Sequence, residues 1–312
     1  MIRSIRVYIT EKCNADCPTC FNKDERSSAS MSFEMFRQIC DLFSENGIGH
    51  IKIMGGEPTL HPEFKDFVAY SQTKFAHIHL FTNGVTNKLQ QLNLREGDSI
   101  VYNFRFADSL NEEKLLLRQP GKRAIEIQIN TSANPEKIIK DIQRVSSIDA
   151  NRIVNVLTLD CTANIFLCKD EFVRKYVSIW KYCLAHNYKL YQDHKIPLCW
   201  LYGTDIPLIY DTESKCKIEC SGLIDASGYL KYCNQYQEPL IQIFDNGKII
   251  PYDIILNYLK QAHYKIQHDV LSKICKSCIL YDKNCNGGCF MGKDYILCSD
   301  VINNTRFPII KY

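Results

Sequence analysis

A short strand and three cysteines follow one another in the run IRVYITEKCNADCPTC, residues 5–20. The first five residues alternate between apolar and polar, which is the pattern of a half-buried β-strand. The loop after them places Cys13, Cys17 and Cys20 at the spacing Cys-x3-Cys-x2-Cys. Thiolates at this spacing can hold three corners of a [4Fe–4S] cube, which normally takes four protein thiolates. One iron then stays open to a small molecule. A structural zinc site or a chance group of thiols is the alternative interpretation.

Strand and helix patterns alternate from the first strand to about Tyr210. Ser32 is the predicted N-cap of a helix that ends at Gly47. Further helices are predicted from Pro62 and over residues 135–145 and 171–187, and further strands over residues 50–54, 77–81, 99–104, 124–129, 152–159 and 188–191. Repeated β-α units predict an α/β fold with a parallel sheet and outer helices, a partial (β/α)6 TIM-like barrel.

Unusual residues gather in the loops that follow the first three strands. The cysteines follow the first strand, GGEP (residues 55–58) the second, and TNG (residues 82–84) the third. Sites in parallel α/β folds lie at the carboxyl ends of the strands. Paired glycines let the backbone approach a ligand closely, and Glu57 offers a charged acceptor. These loops are therefore the predicted site.

A second group of cysteines lies near the C-terminus. The chain has 16 cysteines. Eight of them are Cys216, Cys220, Cys233, Cys275, Cys278, Cys285, Cys289 and Cys298. Past Tyr210 the strand–helix alternation stops, apart from a predicted helix near residues 254–263. So irregular a segment buries little core, and its order is expected to come largely from metal. A pair of zinc knuckles is the alternative to iron here.

Composition excludes several classes of protein. The 312 residues are 46% hydrophobic and carry a net charge of +3, without a polybasic stripe that would suggest nucleic acid. No apolar run reaches the ~18 residues that span a bilayer. The N-terminus is too short and too charged for a signal peptide, so we expect a cytoplasmic protein. Disulfides are not expected there, and metal binding or catalysis accounts better for the cysteines.

The cysteine loop and the GGEP turn together resemble the radical S-adenosylmethionine (radical SAM) superfamily. In that superfamily the amino and carboxylate groups of S-adenosylmethionine chelate the open iron, and the GGEP turn binds the amino group. The resemblance implies that the cofactor is bound by Gly55, Gly56, Glu57 and Pro58. An aromatic residue usually precedes the last cysteine, where this chain has Thr19, and Phe21 is a candidate to replace its contact with adenine.

Other contacts with S-adenosylmethionine are harder to assign. Asn103, Arg105 and Arg118 are candidates for its carboxylate, and Asn130 for a ribose hydroxyl. For each of them the alternative is an ordinary surface or capping role.

The C-terminal cysteines resemble the SPASM extension of radical SAM enzymes, which binds two auxiliary [4Fe–4S] clusters. The resemblance implies three clusters and two domains, a partial barrel over residues 1–210 and a small, irregular iron–sulfur domain over residues 211–312. The implied ligands of the first auxiliary cluster are Cys216, Cys220, Cys233 and Cys289, and those of the second are Cys275, Cys278, Cys285 and Cys298. One departure is a spacing of six residues, in place of the usual five, between Cys278 and Cys285.

Five cysteines are left outside these ligand sets: Cys40, Cys161, Cys168, Cys183 and Cys199. Cys40 and Cys183 lie on helical patterns and are predicted to be small core residues. Cys161 and Cys168 flank a strand end, and nothing in the sequence supports a role for them.

Cys199 lies between the last predicted barrel strand and the extension, where substrate is expected. It is a candidate catalytic donor of a hydrogen atom to a substrate radical. It is also a candidate cluster ligand in place of Cys216 or Cys220, and a buried bystander is the third possibility. Asp193 and His194 are candidate acid–base groups.

The resemblance implies an enzyme that cleaves S-adenosylmethionine reductively and removes a hydrogen atom from its substrate. Ribosomally made peptides are the first expected substrate class, modified by crosslinking, thioether formation, epimerisation or oxidation. A radical SAM dehydrogenase or epimerase of a sugar or alcohol is the alternative, and a non-catalytic iron–sulfur or zinc protein is a remote one. The expected electron donor is a flavodoxin or ferredoxin. Since the cysteine loop begins at Cys13, a peptide substrate is expected to need either a separate leader-peptide recognition protein or direct binding in the barrel.

Overall fold

The computed structural model describes residues 2–17, 20, 22, 26–103, 122–129, 134–147, 153–159, 169–192, 214–215, 222–233, 236–269 and 285–288. None of the helices in these ranges combines the length and the hydropathy that a bilayer crossing requires.

The first seven strands are β1 Ser4–Thr10, β2 His50–Gly55, β3 His77–Thr82, β4 Ser99–Asn103, β5 Lys122–Ile129, β6 Ile153–Leu159 and β7 Leu190–Gln192. They pair side by side in chain order, and every pair is parallel. The later strands are β8 Ser214–Lys215, β9 Leu223–Ile224, β10 Tyr229–Cys233, β11 Tyr236–Gln242, β12 Phe244–Asp245, β13 Lys248–Ile249 and β14 Cys285–Gly288. Among the described strands, the main sheet is open, with edges at β7 and β11. The predicted α/β fold with a partial parallel barrel is confirmed.

The helices are α1 Phe33–Glu45, α2 Phe64–Lys74, α3 Pro135–Ser146, α4 Lys169–Ala185 and α5 Tyr252–Asp269. The predicted cap of α1 is confirmed, since the Ser32 hydroxyl accepts a hydrogen bond from the Met35 N–H at 3.2 Å. Helix α2 begins at Phe64 and not at Pro62. A 3₁₀ turn over Pro58–Leu60 comes first, and the Glu63 N–H donates to His61 Nδ1 at 3.1 Å, which holds the chain out of the helix until that point.

The two faces of the sheet pack differently. Alternate residues of β1, such as Ile5 and Val7, join one large buried cluster with apolar residues of the helices. The opposite face, which lines the inside of the partial barrel, carries a smaller buried cluster of Tyr8, Met54 and Leu223 beside Phe81. The apolar alternation seen in the sequence therefore assigns each strand residue to the helix side or the inner side.

Strands β9 to β11 extend the same sheet beyond β1. Strand β9 lies parallel to β1, with Arg6 opposite Leu223, and β10 and β11 follow in antiparallel order. Leu230 and Tyr232 are fully buried in the main core. The expectation that this part of the chain depends largely on metal for its order is wrong for residues 222–233 and 236–269, because sheet pairing and apolar burial organise them.

Candidate functional site

The carboxyl ends of β1 to β4 meet around one pocket. It is lined by Cys13, Ala15, Cys17, Cys20, Asn22, Arg26, Met54, Gly55, Gly56, Phe81, Thr82, Asn83 and Val101. The three cysteines predicted as cluster ligands thus share a pocket with the paired glycines of the GGEP turn. The loops after the first three strands all contribute to it, as the position of their unusual residues predicts.

The loop that carries the cysteines is closed at its base by the end of β1. The Glu11 N–H donates to the Ala29 carbonyl at 2.9 Å, and the hydroxyls of Thr10 and Ser30 lie 2.9 Å apart. Within the loop, the Cys20 N–H donates to the Cys17 carbonyl at 3.2 Å. Both ends of the loop are therefore anchored at the same strand end.

The paired glycines allow the GGEP turn to lie directly against the base of the cysteine loop. Gly55 has φ 153°, and a Cβ there would lie 2.3 Å from the Thr10 carbonyl oxygen. A Cβ on Gly56 would lie 2.4 Å from the Lys12 carbonyl oxygen. The Gly56 N–H donates to the Thr10 carbonyl and the Glu57 N–H to the Lys12 carbonyl, each at 2.8 Å. The sequence predicts that the two glycines let a ligand approach closely; in these contacts, the group that approaches them is the backbone of Thr10 and Lys12.

Glu57 is fully buried at 0% exposure, and donors of the protein surround its carboxylate. Oε1 accepts from the Thr59 N–H at 3.2 Å and hydroxyl at 2.6 Å, and from the Thr82 hydroxyl at 2.8 Å. Oε2 accepts from the Asn83 N–H at 2.7 Å. These bonds join the GGEP turn to the end of β3, so Glu57 positions the turn. Its contact with the ammonium group of a cofactor stays a prediction, and so does that of Pro58, which opens the 3₁₀ turn.

Asn83 links all three strand ends, although the sequence interpretation gave it no role. Its side-chain N–H donates to the Asn14 side-chain oxygen in the cysteine loop at 2.8 Å, while its backbone N–H binds Glu57. The signal was present in the sequence, because Asn83 follows a parallel strand just as the cysteines and the GGEP turn do.

Arg26 is a further pocket residue that the sequence interpretation missed. Its Nη1 donates to the Ala15 carbonyl at 2.6 Å, and its buried Nε has no hydrogen-bond partner in the described part of the chain. Burial opposes its charge, but a hydrogen bond with Cys20 and the charges of Cys20, Cys13 and Cys17 raise the pKa of Arg26. One basic residue in a polar loop carries no pattern from which this placement follows.

The floor of the pocket is apolar. Met54, Phe81 and Val101 line it, and Tyr8 packs beneath them at 3% exposure. The Tyr8 hydroxyl is buried without a hydrogen-bond partner. Burial is the main cause that raises its pKa, and the charge of Glu11 adds to it. Smaller contributions come from a thiol of the N-terminal loop, Cys20, and from Cys233 on β10.

Other residues singled out in the sequence are distributed as follows. Asn103 ends β4, Cys233 ends β10 and Cys285 begins β14. Cys40 and Cys183 are confirmed as buried core residues, and burial raises the pKa of both thiols. Outside the described residues lie Thr19, Phe21, Arg105, Arg118, Asn130, Cys161, Cys168, Asp193, His194, Cys199, Cys216, Cys220, Cys275, Cys278, Cys289 and Cys298.

The chemistry of the donor set suits an iron–sulfur cluster. Three thiols line one pocket, and thiolates are the ligands of such clusters. The unpartnered Nε of Arg26 is a donor that an anionic group in the pocket satisfies. Among the described residues, no three His, Cys, Asp or Glu side chains form a group that fits a single metal ion.

The part of the chain that carries this pocket is similar to known proteins. Residues 7–101 match the radical SAM superfamily. A probable GTP 3',8-cyclase of Methanococcus maripaludis is 27% identical over 180 residues, which cover 56% of this chain and 56% of that protein. The chain thus spans about half the length of the curated relatives it matches.

Two solved structures share the fold over most of the chain. Native anSMEcpe with bound AdoMet and Kp18Cys peptide aligns with TM-score 0.66 and 13% identity, over 96% of both chains. Streptococcus suis SuiB bound to the precursor peptide SuiA aligns with TM-score 0.67 and 14% identity, over 93% of this chain and 72% of that one. At these identities the similarity is one of fold.

Proposed function

We propose that this chain, whose residues 7–101 form a radical SAM domain, is an enzyme that holds a [4Fe–4S] cluster on Cys13, Cys17 and Cys20 and binds S-adenosylmethionine beside it. The observation that carries the proposal is the pocket that these thiols share with Gly55 and Gly56. When both groups are bound and the cluster is reduced, they supply a 5′-deoxyadenosyl radical that takes a hydrogen atom from the substrate.

The described residues support this chemistry by fixing the pocket and keeping water from its floor. Hydrogen bonds from the GGEP turn to the carbonyls of Thr10 and Lys12 fix the start of the cysteine loop against the end of β2. Met54, Phe81 and Val101 offer an apolar surface against which a bound cofactor excludes water. Asn103, at the end of β4, and Asn130 remain our candidates for further contacts with the cofactor.

We propose two auxiliary [4Fe–4S] clusters in the C-terminal part, with the ligand sets that the SPASM resemblance implies. Strands β8 and β14 lend support, because Lys215 and Gly288 are register partners. These residues immediately precede Cys216 and Cys289, which belong to the same proposed cluster. Cys233 completes the described part of this set at the end of β10.

The proposed domain division is residues 1–210 and 211–312. Strand β9 of the second part pairs with β1 of the first, and β10 and β11 follow it in the same sheet, so the two parts share one sheet. The auxiliary clusters are then expected to be rigidly fixed relative to the pocket. Cys199, between the two parts in the sequence, stays a candidate catalytic residue.

Cleavage of S-adenosylmethionine tests the proposed function. Anaerobically reconstituted protein, given S-adenosylmethionine and a reductant, is expected to form 5′-deoxyadenosine and methionine. A variant with Cys13, Cys17 and Cys20 all replaced by Ala is expected to form neither, while a Cys183→Ala variant, which changes a buried core thiol, retains the activity. No 5′-deoxyadenosine from fully iron-loaded wild-type protein would refute the proposal.

For the substrate, we propose a ribosomally made peptide. The support is the shared fold with anSMEcpe bound to Kp18Cys peptide and with SuiB bound to SuiA. A second candidate is a small metabolite, favoured by 27% identity over 180 residues to a probable GTP 3',8-cyclase. A short peptide-coding frame beside the gene favours the peptide. The direct test compares 5′-deoxyadenosine formation with that peptide and with GTP, and only the true substrate class accelerates it.

Partners follow from the same proposal. A flavodoxin or ferredoxin is expected as the electron donor, and a separate recognition protein is expected if the peptide carries a leader. Single-turnover reduction of the clusters by a purified flavodoxin measures the first interaction directly.

A further inference from the structure

Arg26 lies in the same pocket as the three thiols and belongs to the same loop. Its guanidinium lies close enough to Cys20 for that thiol to raise the pKa of Arg26, and its Nη1 donates a hydrogen bond to the Ala15 carbonyl at 2.6 Å. Ala15 itself lies between Cys13 and Cys17 in the sequence and also lines the pocket. The guanidinium is thus held by the loop that it faces, and its position is tied to the positions of the thiols.

The hydrogen bonds of Arg26 are incomplete without a bound group. A guanidinium has five N–H donors, and Nε is buried without a hydrogen-bond partner among the residues that the structure describes. A buried donor left without an acceptor is destabilising. Within the described part of the chain, the guanidinium donates to the Ala15 carbonyl through Nη1, and this bond leaves Nε without an acceptor. A sulfur-rich anion on the three cysteines supplies the missing acceptor.

The positive charge of Arg26 is expected to affect the reduction potential of a cluster bound at the three cysteines. An electron added to a cluster makes it more negative, and a neighbouring cation stabilises the reduced form more than the oxidised form. Hydrogen bonds to the sulfurs and net charge are among the factors that set cluster potentials. Arg26 lines the same pocket as Cys13, Cys17 and Cys20, so its positive charge lies near all three proposed ligands.

We propose that Arg26 is a positioning residue for the cluster on Cys13, Cys17 and Cys20, one that donates hydrogen bonds to its sulfurs and raises its reduction potential. The inference rests on the proposed function, because it requires a cluster at these cysteines. It assigns Arg26 to the cluster and not to the carboxylate of S-adenosylmethionine.

Potentiometric titration followed by electron paramagnetic resonance (EPR) tests the proposal in the full-length, reconstituted protein without S-adenosylmethionine. The signal to follow is the one that the triple Cys13/Cys17/Cys20→Ala variant lacks. In Arg26→Gln, the ratio of reduced to oxidised cluster at the wild-type midpoint is expected to fall at least about tenfold, which equals a shift of about 59 mV. Arg37→Gln, which removes an exposed charge on α1 outside the pocket, is expected to leave the midpoint unchanged.

Arg26→Lys serves as the second variant, because it keeps the charge but loses the planar fork. Its midpoint is expected between those of wild type and Arg26→Gln. If Arg26→Gln does not take up the cluster, a lowered midpoint in Arg26→Lys supports the proposal and an unchanged one overturns it.

Two further outcomes overturn the inference and are told apart. An unchanged midpoint in a fully loaded Arg26→Gln variant refutes the role of Arg26 but leaves the proposed function intact. The same holds if that variant also binds S-adenosylmethionine more weakly, because Arg26 then binds the carboxylate of the cofactor and not the cluster. A triple cysteine variant that lacks no signal refutes the cluster itself, and with it the proposed function.

Discussion

At the scale of single residues, the most constrained group in the site is the carboxylate of Glu57. Four hydrogen bonds reach it, from Thr59, Thr82 and the Asn83 backbone. An ionised carboxylate needs such donors when water is excluded. Its burial explains how one side chain holds the GGEP turn and the end of β3 in register.

Glu57→Gln is expected to lower the free energy of unfolding by about 2 kcal/mol, because hydrogen bonds to a charged acceptor are lost and the new amide N–H₂ faces protein donors. Urea unfolding measures the change. The control is Glu96→Gln, which alters an exposed side chain. Equal stabilities of the two variants would contradict the positioning role of Glu57.

At the scale of elements, the site depends on how closely the ends of β1 and β2 pack. Thr10, Glu11 and Lys12 occupy the space where side chains at residues 55 and 56 would otherwise lie. The β1–β2 register shifts between Tyr8 and Thr10, which brings this backbone over the glycines. The start of the cysteine loop thus packs directly against the end of β2.

Gly56→Ala is expected to displace this support, because its Cβ would lie 2.4 to 2.6 Å from backbone atoms of Lys12 and Glu11. We expect a loss of about 2–3 kcal/mol in unfolding free energy and loss of the iron bound at the cysteine loop. Iron analysis after reconstitution measures the second effect. Gly49→Ala is the matched control, since no atom lies within 4 Å of its added Cβ; equal iron in both variants would argue against the packing role.

Strands β2 and β3 carry a group of histidines away from the pocket, towards their amino ends. His50 Nδ1 and His79 Nε2 are 3.4 Å apart, and the rings of His50 and His77 pack at 4.7 Å. Burial is the main cause that lowers the pKa of His79 to about 4, and the charge of Lys52 follows. Asp98 acts weakly in the opposite direction. Folding therefore keeps His79 neutral.

The stability of the protein is expected to fall as the pH drops from about 6.5, the ordinary value for histidine, towards 4. In that window the unfolded chain binds the proton and the folded one does not, so stability rises with pH. His79→Gln is expected to lose less stability between pH 7 and pH 5 than wild type, as measured by urea unfolding at each pH. His186 is exposed, so the stability of His186→Gln is expected to change with pH as that of wild type does. The same pH dependence of the unfolding free energy in all three proteins would rule out the role of His79.

At the scale of the whole molecule, the sequence predicts the parallel sheet and the place of the site, since both depend on local patterns. Strand alternation marks β1 to β3, and the motifs follow their carboxyl ends. The placement of Arg26 could not be predicted, because one basic residue in a polar loop carries no pattern. The hydrogen bonds of Glu57 to Thr82 and Asn83 could not be predicted either, because they join the ends of two different strands. Strands β9 to β11 were missed for a similar reason. Strand β9 has only two residues, and its pairing with β1 spans more than 200 residues of sequence.

Iron stoichiometry tests the three proposed clusters together. Fully reconstituted protein is expected to bind about twelve irons per chain, at four per cube, and the triple Cys13/Cys17/Cys20→Ala variant about eight. A parallel zinc analysis distinguishes the zinc alternative. Unchanged iron in the triple variant would remove these cysteines from the ligand set.

The central claim is that the cluster at the N-terminal loop leaves one iron for S-adenosylmethionine. The most direct test is the EPR spectrum of the reduced, reconstituted protein before and after S-adenosylmethionine is added. We predict that the signal absent from the triple cysteine variant changes its g-values when the cofactor binds. A signal that stays the same at saturating S-adenosylmethionine would contradict the claim.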